Sequence, residues 1–205
     1  MYLFFDTETT GLPKSWKAPV TDTDNWPRIT QLAWQVYDKD GKLLNERCDL
    51  IKPDGWTIPT VEELTKEGNK NPHFFEENNM STERCEKEGV ELSEILKDFV
   101  NKVNRSEYLI AHNMNFDEKI IGCEMIREKI NFKKEPKKLC TMQESTYYCK
   151  MKPFRFGTYK WPTLIELHEK LFEEGFDGAH DALADVKACA RSFFELKNRK
   201  IMLKS

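Results

Sequence analysis

The chain has 205 residues, 39% of them hydrophobic and 12% aromatic, enough for one well-buried α/β domain over residues 1–205. No run of 18 apolar residues occurs and no charged leader opens the chain, so neither a membrane span nor a signal peptide is expected. The formal net charge is −3, and the six cysteines (48, 85, 123, 140, 149 and 189) form no Cys-x-x-Cys pair, which argues against structural zinc and for reduced thiols in an intracellular, cytoplasmic protein.

The first predicted element is a strand over residues 2–8, in which the apolar run Tyr2-Leu3-Phe4-Phe5 ends in Asp6-Thr7-Glu8. Strand residues two apart face the same side, so Asp6 and Glu8 point together and offer a seat for a hard divalent cation. The plainer account is one acid capping a turn and the other in solvent. A polar loop follows between Pro13 and Arg28, with Trp16, Pro19, Trp26 and Pro27; it covers the first strand's end or is tied down by its aromatics. Strands over 29–38 and 43–51 join around Lys39-Asp40-Gly41, a hairpin signal. Short helices are expected near 60–67 and 91–103.

A strand at 107–111 then runs into His112-Asn113, and a helix follows from about 116 to 130, with Phe116, Ile120, Ile121 and Cys123 along one side. Asp117 falls in its first turn, where the helix dipole alone favours an acid. A last strand at 137–141 precedes helices near 141–150, 163–172 and 181–198. Gly178 turns the chain into the final helix, Asp181 is its N-cap, and Leu183, Val186, Ala190, Phe193 and Phe194 form its apolar stripe. Asp185 interrupts an alanine-rich, close-packing stretch. A buried unpaired charge is costly, and a cation shared with Asp6 and Glu8 would supply its partner. His180, taken alone, is an ordinary loop histidine.

Three of these segments together resemble the DnaQ-like family of 3′–5′ exonucleases, in its DEDDh branch. Asp6-Thr7-Glu8-Thr9-Thr10-Gly11-Leu12-Pro13 matches the first motif, Ala111-His112-Asn113-Met114-Asn115-Phe116-Asp117 the second, and His180 with Asp185 the third. The resemblance implies a ribonuclease-H-like α/β fold, a mixed central sheet flanked by helices, with which the predicted element order agrees. It implies two Mg²⁺ or Mn²⁺ ions held by Asp6, Glu8 and Asp185, with Asp6 bridging and Asp117 acting through water. His180 would be the general base, since an imidazole titrates near ~6.5. Nucleoside 5′-monophosphates would leave one at a time from a 3′ end. Thr7, Thr9, Gly11, Leu12, Asn113 and Phe116 are the implied substrate contacts. Gly11 permits close backbone approach, Leu12 is a wedge beside the terminal base or a turn residue, and Phe116 chiefly packs.

Charge is unevenly spread. Residues 127–160 carry ten Lys or Arg against three acids, interleaved with Phe132, Tyr147, Tyr148, Phe154, Phe156 and Tyr159. Basic and aromatic side chains together suit a single nucleic-acid strand. Residues 54–98 hold twelve acids against five bases, expected to be a solvated surface facing away from substrate. Two features depart from the family. Asn78-Asn79-Met80-Ser81 stands where many relatives have a His-Gly-Ile-Thr-like turn, and Asn tolerates the left-handed backbone such a turn needs. The chain stops seven residues after Asn198, without the polymerase-docking tail of proofreading subunits similar to the polymerase III epsilon domain. The expectation is therefore a free-standing enzyme acting on the 3′ ends of single-stranded or mismatched DNA, with at most a transient polymerase or repair partner. An RNA-trimming exoribonuclease is the alternative, and a nucleic-acid-binding accessory domain a more distant one.

Overall fold

The computed structural model describes residues 1–152 and 157–202. Its sheet contains β1 (Tyr2–Thr9), β2 (Ile29–Tyr37), β3 (Leu43–Leu50), β4 (Tyr108–Ala111) and β5 (Lys137–Cys140), in the order β3-β2-β1-β4-β5. The first three strands are antiparallel neighbours, and β4 and β5 run parallel to β1, so the sheet is mixed as predicted. Helices among the described residues are α1 (Val61–Lys66), α2 (Phe74–Glu77), α3 (Thr82–Glu88), α4 (Leu92–Arg105), α5 (Met114–Arg127), α6 (Thr141–Cys149), α7 (Leu164–Phe172) and α8 (Ala182–Asn198). None is long and apolar enough to cross a membrane.

Alternation along β1 builds a core on each face of the sheet. Leu3 and Phe5 pack with Ile95, Leu96 and Phe99 of α4 and with Ile120 and Ile121 of α5. Tyr2 and Phe4 pack on the other face with Val186, Ala190 and Phe193 of α8. Asp6 and Glu8 share the parity of Tyr2 and Phe4, so β1 presents them to the α8 side.

Two differences from the sequence expectation bear on the site. Helix α5 begins at Met114, two residues early, because Asn113 takes a left-handed backbone (φ 83°) at the N-cap, a conformation asparagine tolerates. The acidic stretch, expected to hold one helix before 91, also forms α2 and α3. Ser81 caps α3 by accepting from the Arg84 N–H at 3.1 Å, and Asn79 makes the preceding turn at φ 50°. Phe75, Met80 and Cys85 join Leu64, Ile58 and Leu50 in a small third core. Elements this short and this acid-rich carry too little apolar periodicity to be seen.

The loop after β1 is clasped onto α5. Buried Glu124 accepts from Arg28 Nε at 3.0 Å and from the Ile29 N–H at 3.1 Å, and pairs with Arg127 at 3.0 Å. Arg127 also donates to the Thr23 and Trp26 carbonyls. Gly122 permits the contact, since a Cβ there would stand 2.9 Å from Val20 Cγ2.

Candidate active site

Strand β1 outruns its parallel neighbour. Pairing with β4 stops at Phe4 opposite Ile110, which leaves the β1 edge beyond that point without a strand partner. Asp117, in the first turn of α5, takes that place: its Oδ1 accepts from the Thr7 N–H at 3.1 Å and from Thr7 Oγ1 at 2.8 Å. A register shift between Glu8 and Thr9 follows at once, the kind of irregularity that re-aims a side chain beside a site. Ligands of α/β sheets bind outside the carboxyl ends of the strands, where this acid pair lies.

Helix α8 is brought to the same place by Gln31, which lies opposite Glu8 on β2. Gln31 Nε2 donates to Asp181 Oδ2 at 3.1 Å, and its Oε1 accepts from the Ala182 N–H at 3.0 Å. Asp181 Oδ1 caps the helix by accepting from the Ala184 N–H at 3.1 Å. Gly178 (φ 77°) and His180 (φ 70°) make the left-handed turns that feed the helix. Ligand atoms of Glu8, His180 and Asp185 thereby come within 4.8 Å of one another. The His180 ring meets Phe74 of α2 edge-on, with centroids 5.1 Å apart.

The four acids are too crowded and too buried to be charged together. Burial, then the charges of Asp117, Asp185 and Glu8, raises the Asp6 pKa well above the carboxylate range. Burial, then Asp185 and Asp117, raises Glu8 to about 8. Burial lifts Asp117 to about 7 against the opposing hydrogen bonds from Thr7, and lifts Asp185 to about 7 against the His180 N–H. Asp185 Oδ1 is buried with no protein partner. A set of oxygen donors with an orphaned carboxylate oxygen fits a hard divalent cation, Mg²⁺ or Mn²⁺.

The other expected contacts divide. Thr7 is buried and its hydroxyl donates to Asp117, which makes it a support for the acid. Thr9 is buried and donates to the Gly11 carbonyl at 2.7 Å. Gly11 has open space where a Cβ would lie, and Leu12 is 74% exposed. Phe116 packs against Trp16 at 5.7 Å, and Lys119 holds that loop by donating to the Trp16 carbonyl at 3.1 Å, so the loop is tied down by its aromatics. Asn113 lies in a groove with His180 and Asp185.

The basic, aromatic stretch is only partly a surface feature. Phe132 and Tyr148 pack against the cores, while Tyr147 is exposed and meets Tyr159 edge-on. Phe154, Arg155 and Phe156 lie outside the described residues. Phe74 also corrects the expectation for residues 54–98: their carboxylates are largely solvated, but α2 reaches the site. Two supporting residues escaped the sequence expectation, Phe74 and Gln31. The signal for Gln31 was an amide in a strand buried almost throughout, a group that needs polar partners there.

An α/β domain whose strand ends gather four carboxylates and a histidine has the form of a metal-dependent nuclease. A family model described as exonuclease, of the RNase T type, matches residues 3–193, and the chain belongs to that family, in its DnaQ-like 3′–5′ branch. Among solved structures it is similar to an exonuclease I (TM-score 0.68, 15% identity, 96% of this chain and 40% of that one). It is also similar to Escherichia coli exonuclease I bound to a dT13 oligonucleotide (0.68, 16%, 97% and 41%) and to exonuclease I from Methylocaldum szegediense (0.66, 16%, 99% and 41%). The chain thus spans about two fifths of these relatives, and the likeness shows the shared ribonuclease-H-like fold. No curated protein sequence matches it.

Proposed function

We propose that the chain removes nucleotides one at a time from the 3′ end of single-stranded or mismatched DNA, with two Mg²⁺ or Mn²⁺ ions. The meeting of Glu8, His180 and Asp185 within 4.8 Å, beside Asp6 and Asp117, carries the proposal. Asp6, Glu8 and Asp185 would hold the ions directly. Asp117, with Oδ1 already bonded to Thr7, offers its second oxygen. When bound, such ions lower the pKa of water and offset charge on the phosphate and the leaving oxygen.

The protein's own groups do the rest. His180 takes a proton from the attacking water. The water oxygen bonds to phosphorus as the bond to O3′ breaks, and O3′ leaves with a proton from solvent. The products are a nucleoside 5′-monophosphate and a strand shorter by one. Gly11, with open space where a Cβ would lie, and exposed Leu12 would meet the terminal nucleotide. DNA is favoured over RNA because the similar Escherichia coli structure holds a dT13 strand. Six free cysteines fit a cytoplasmic protein, whose 3′ ends would come from a transient polymerase or repair partner.

Matched 5′-labelled DNA and RNA strands, incubated with Mg²⁺ or Mn²⁺ beside an Asp6→Ala control, test this. A DNA ladder shortening from the 3′ end, with the control inert, is expected. Faster loss of RNA would reassign the substrate, and no cleavage of either strand would sink the assignment.

A further inference from the structure

A groove of about 590 Å³ is lined by Asp185 and His180 of the acid cluster together with Asn113, His112, Trp161 and Lys160. Its lining includes none of residues 9–12, the segment assigned above to the terminal nucleotide. Trp161 in that lining is 58% exposed, an unusual state for so large an apolar ring. The backbone beneath it is nonetheless fixed on both sides. The Pro162 carbonyl accepts from Nε2 of His112, which is mostly buried, at 3.0 Å, and His112 Nδ1 meets Thr141 Oγ1 at 2.9 Å. Thr163 caps α7 in a reciprocal box with Glu166. On the other side Lys160 forms an antiparallel bridge with Met151.

An exposed indole on an anchored backbone, in a groove shared with the acid cluster, has the form of a stacking platform. The segment leading to it, residues 127–160, holds ten Lys or Arg against three acids, an excess of the sign that a nucleic-acid backbone needs. We propose that Trp161 stacks on a base of the bound DNA strand on the 5′ side of the scissile phosphate, within a subsite that His112 holds in place through Pro162. The subsite rests on the nuclease assignment for its position, and on the groove and its exposed ring for its chemistry.

The test is equilibrium binding, with Ca²⁺ replacing Mg²⁺, of a 5′-labelled oligothymidylate and, by competition, of thymidine 5′-monophosphate. Trp161→Ala should weaken the oligonucleotide by about 5- to 100-fold, and by clearly more than it weakens the mononucleotide, which is too short to reach the platform. Trp161→Phe should recover most of the loss, and its tryptophan emission should lack a component that the oligonucleotide quenches in the parent. Equal oligonucleotide affinity for parent and Trp161→Ala, or equal losses on both ligands, would overturn the subsite. A parent that binds the oligonucleotide through Trp161 and cleaves nothing in Mg²⁺ or Mn²⁺ would overturn the nuclease assignment and leave the subsite standing. A parent that binds no oligonucleotide overturns both.

Discussion

The Phe74 ring stands edge-on to the His180 imidazole, at 5.1 Å and 70° between planes. His180 sits in a left-handed turn on the surface, so the phenyl ring is one of few walls that limit where its imidazole points. Phe74→Ala should lower kcat about tenfold, a fraction of the loss expected for removing a general base, and change KM little. Phe74 is half-buried, so the melting temperature should hardly move. Unchanged kcat would show that the ring does not orient His180.

Thr7 gives Asp117 two hydrogen bonds, one from the main chain and one from the hydroxyl. Thr7→Val keeps the first and removes the second, at a cost of about 1 kcal/mol in stability. The released carboxylate should lower kcat/KM by tenfold or more, since small misplacements at a reacting centre are costly. Thr7→Ser should restore both. Urea melts and steady-state rates on the three proteins decide it.

The acid cluster makes metal-free stability depend on pH with a definite sign. Glu8 is raised to about 8, and Asp117 and Asp185 to about 7, all above ordinary unfolded values near ~4. The folded state therefore binds more protons than the unfolded one between those limits. This contribution is fully present below about pH 4 and is lost as pH rises through 7 to 8. Asp185→Asn should melt several degrees above the parent at pH 8 in chelator. Mg²⁺ should raise the parent's melting temperature and the variant's much less. Matching melts for the two proteins at pH 8 would refute this account of the cluster.

Glu124 is buried between Arg28 and Arg127 and also accepts the Ile29 N–H. Glu124→Ala leaves two guanidinium groups without their shared partner and frees the loop that follows β1. A loss of about 3–5 kcal/mol is expected, read as a lower urea midpoint. A loss under about 1 kcal/mol would place the clasp on the surface energetically.

What could be read from the sequence follows how local each signal was. Asp6 and Glu8 announce their shared face through strand periodicity, and Asp181 announces its cap through the glycine turn before it, so both were legible. Asp117 was expected beside the other acids, but the means of its capture was not. Thr7 lies 110 residues away in sequence, and its donors are free only because β4 ends early. Phe74 was hidden because α2 is four residues long and sits among acids. The start of α5 was misplaced by two residues because asparagine's tolerance of positive φ sets it, and that leaves no mark in apolar spacing.

The clasp between Gln31 and the head of α8 ties together parts of the chain 150 residues apart. Asp6 and Glu8 are therefore made early in synthesis, Asp117 follows with α5, and Asp185 arrives with α8. A nascent or truncated chain that lacks α8 carries Asp6 and Glu8 with nothing to close the cation seat. On the proposed assignment, cleavage would therefore wait for α8 to dock, whatever the state of the sheet before it.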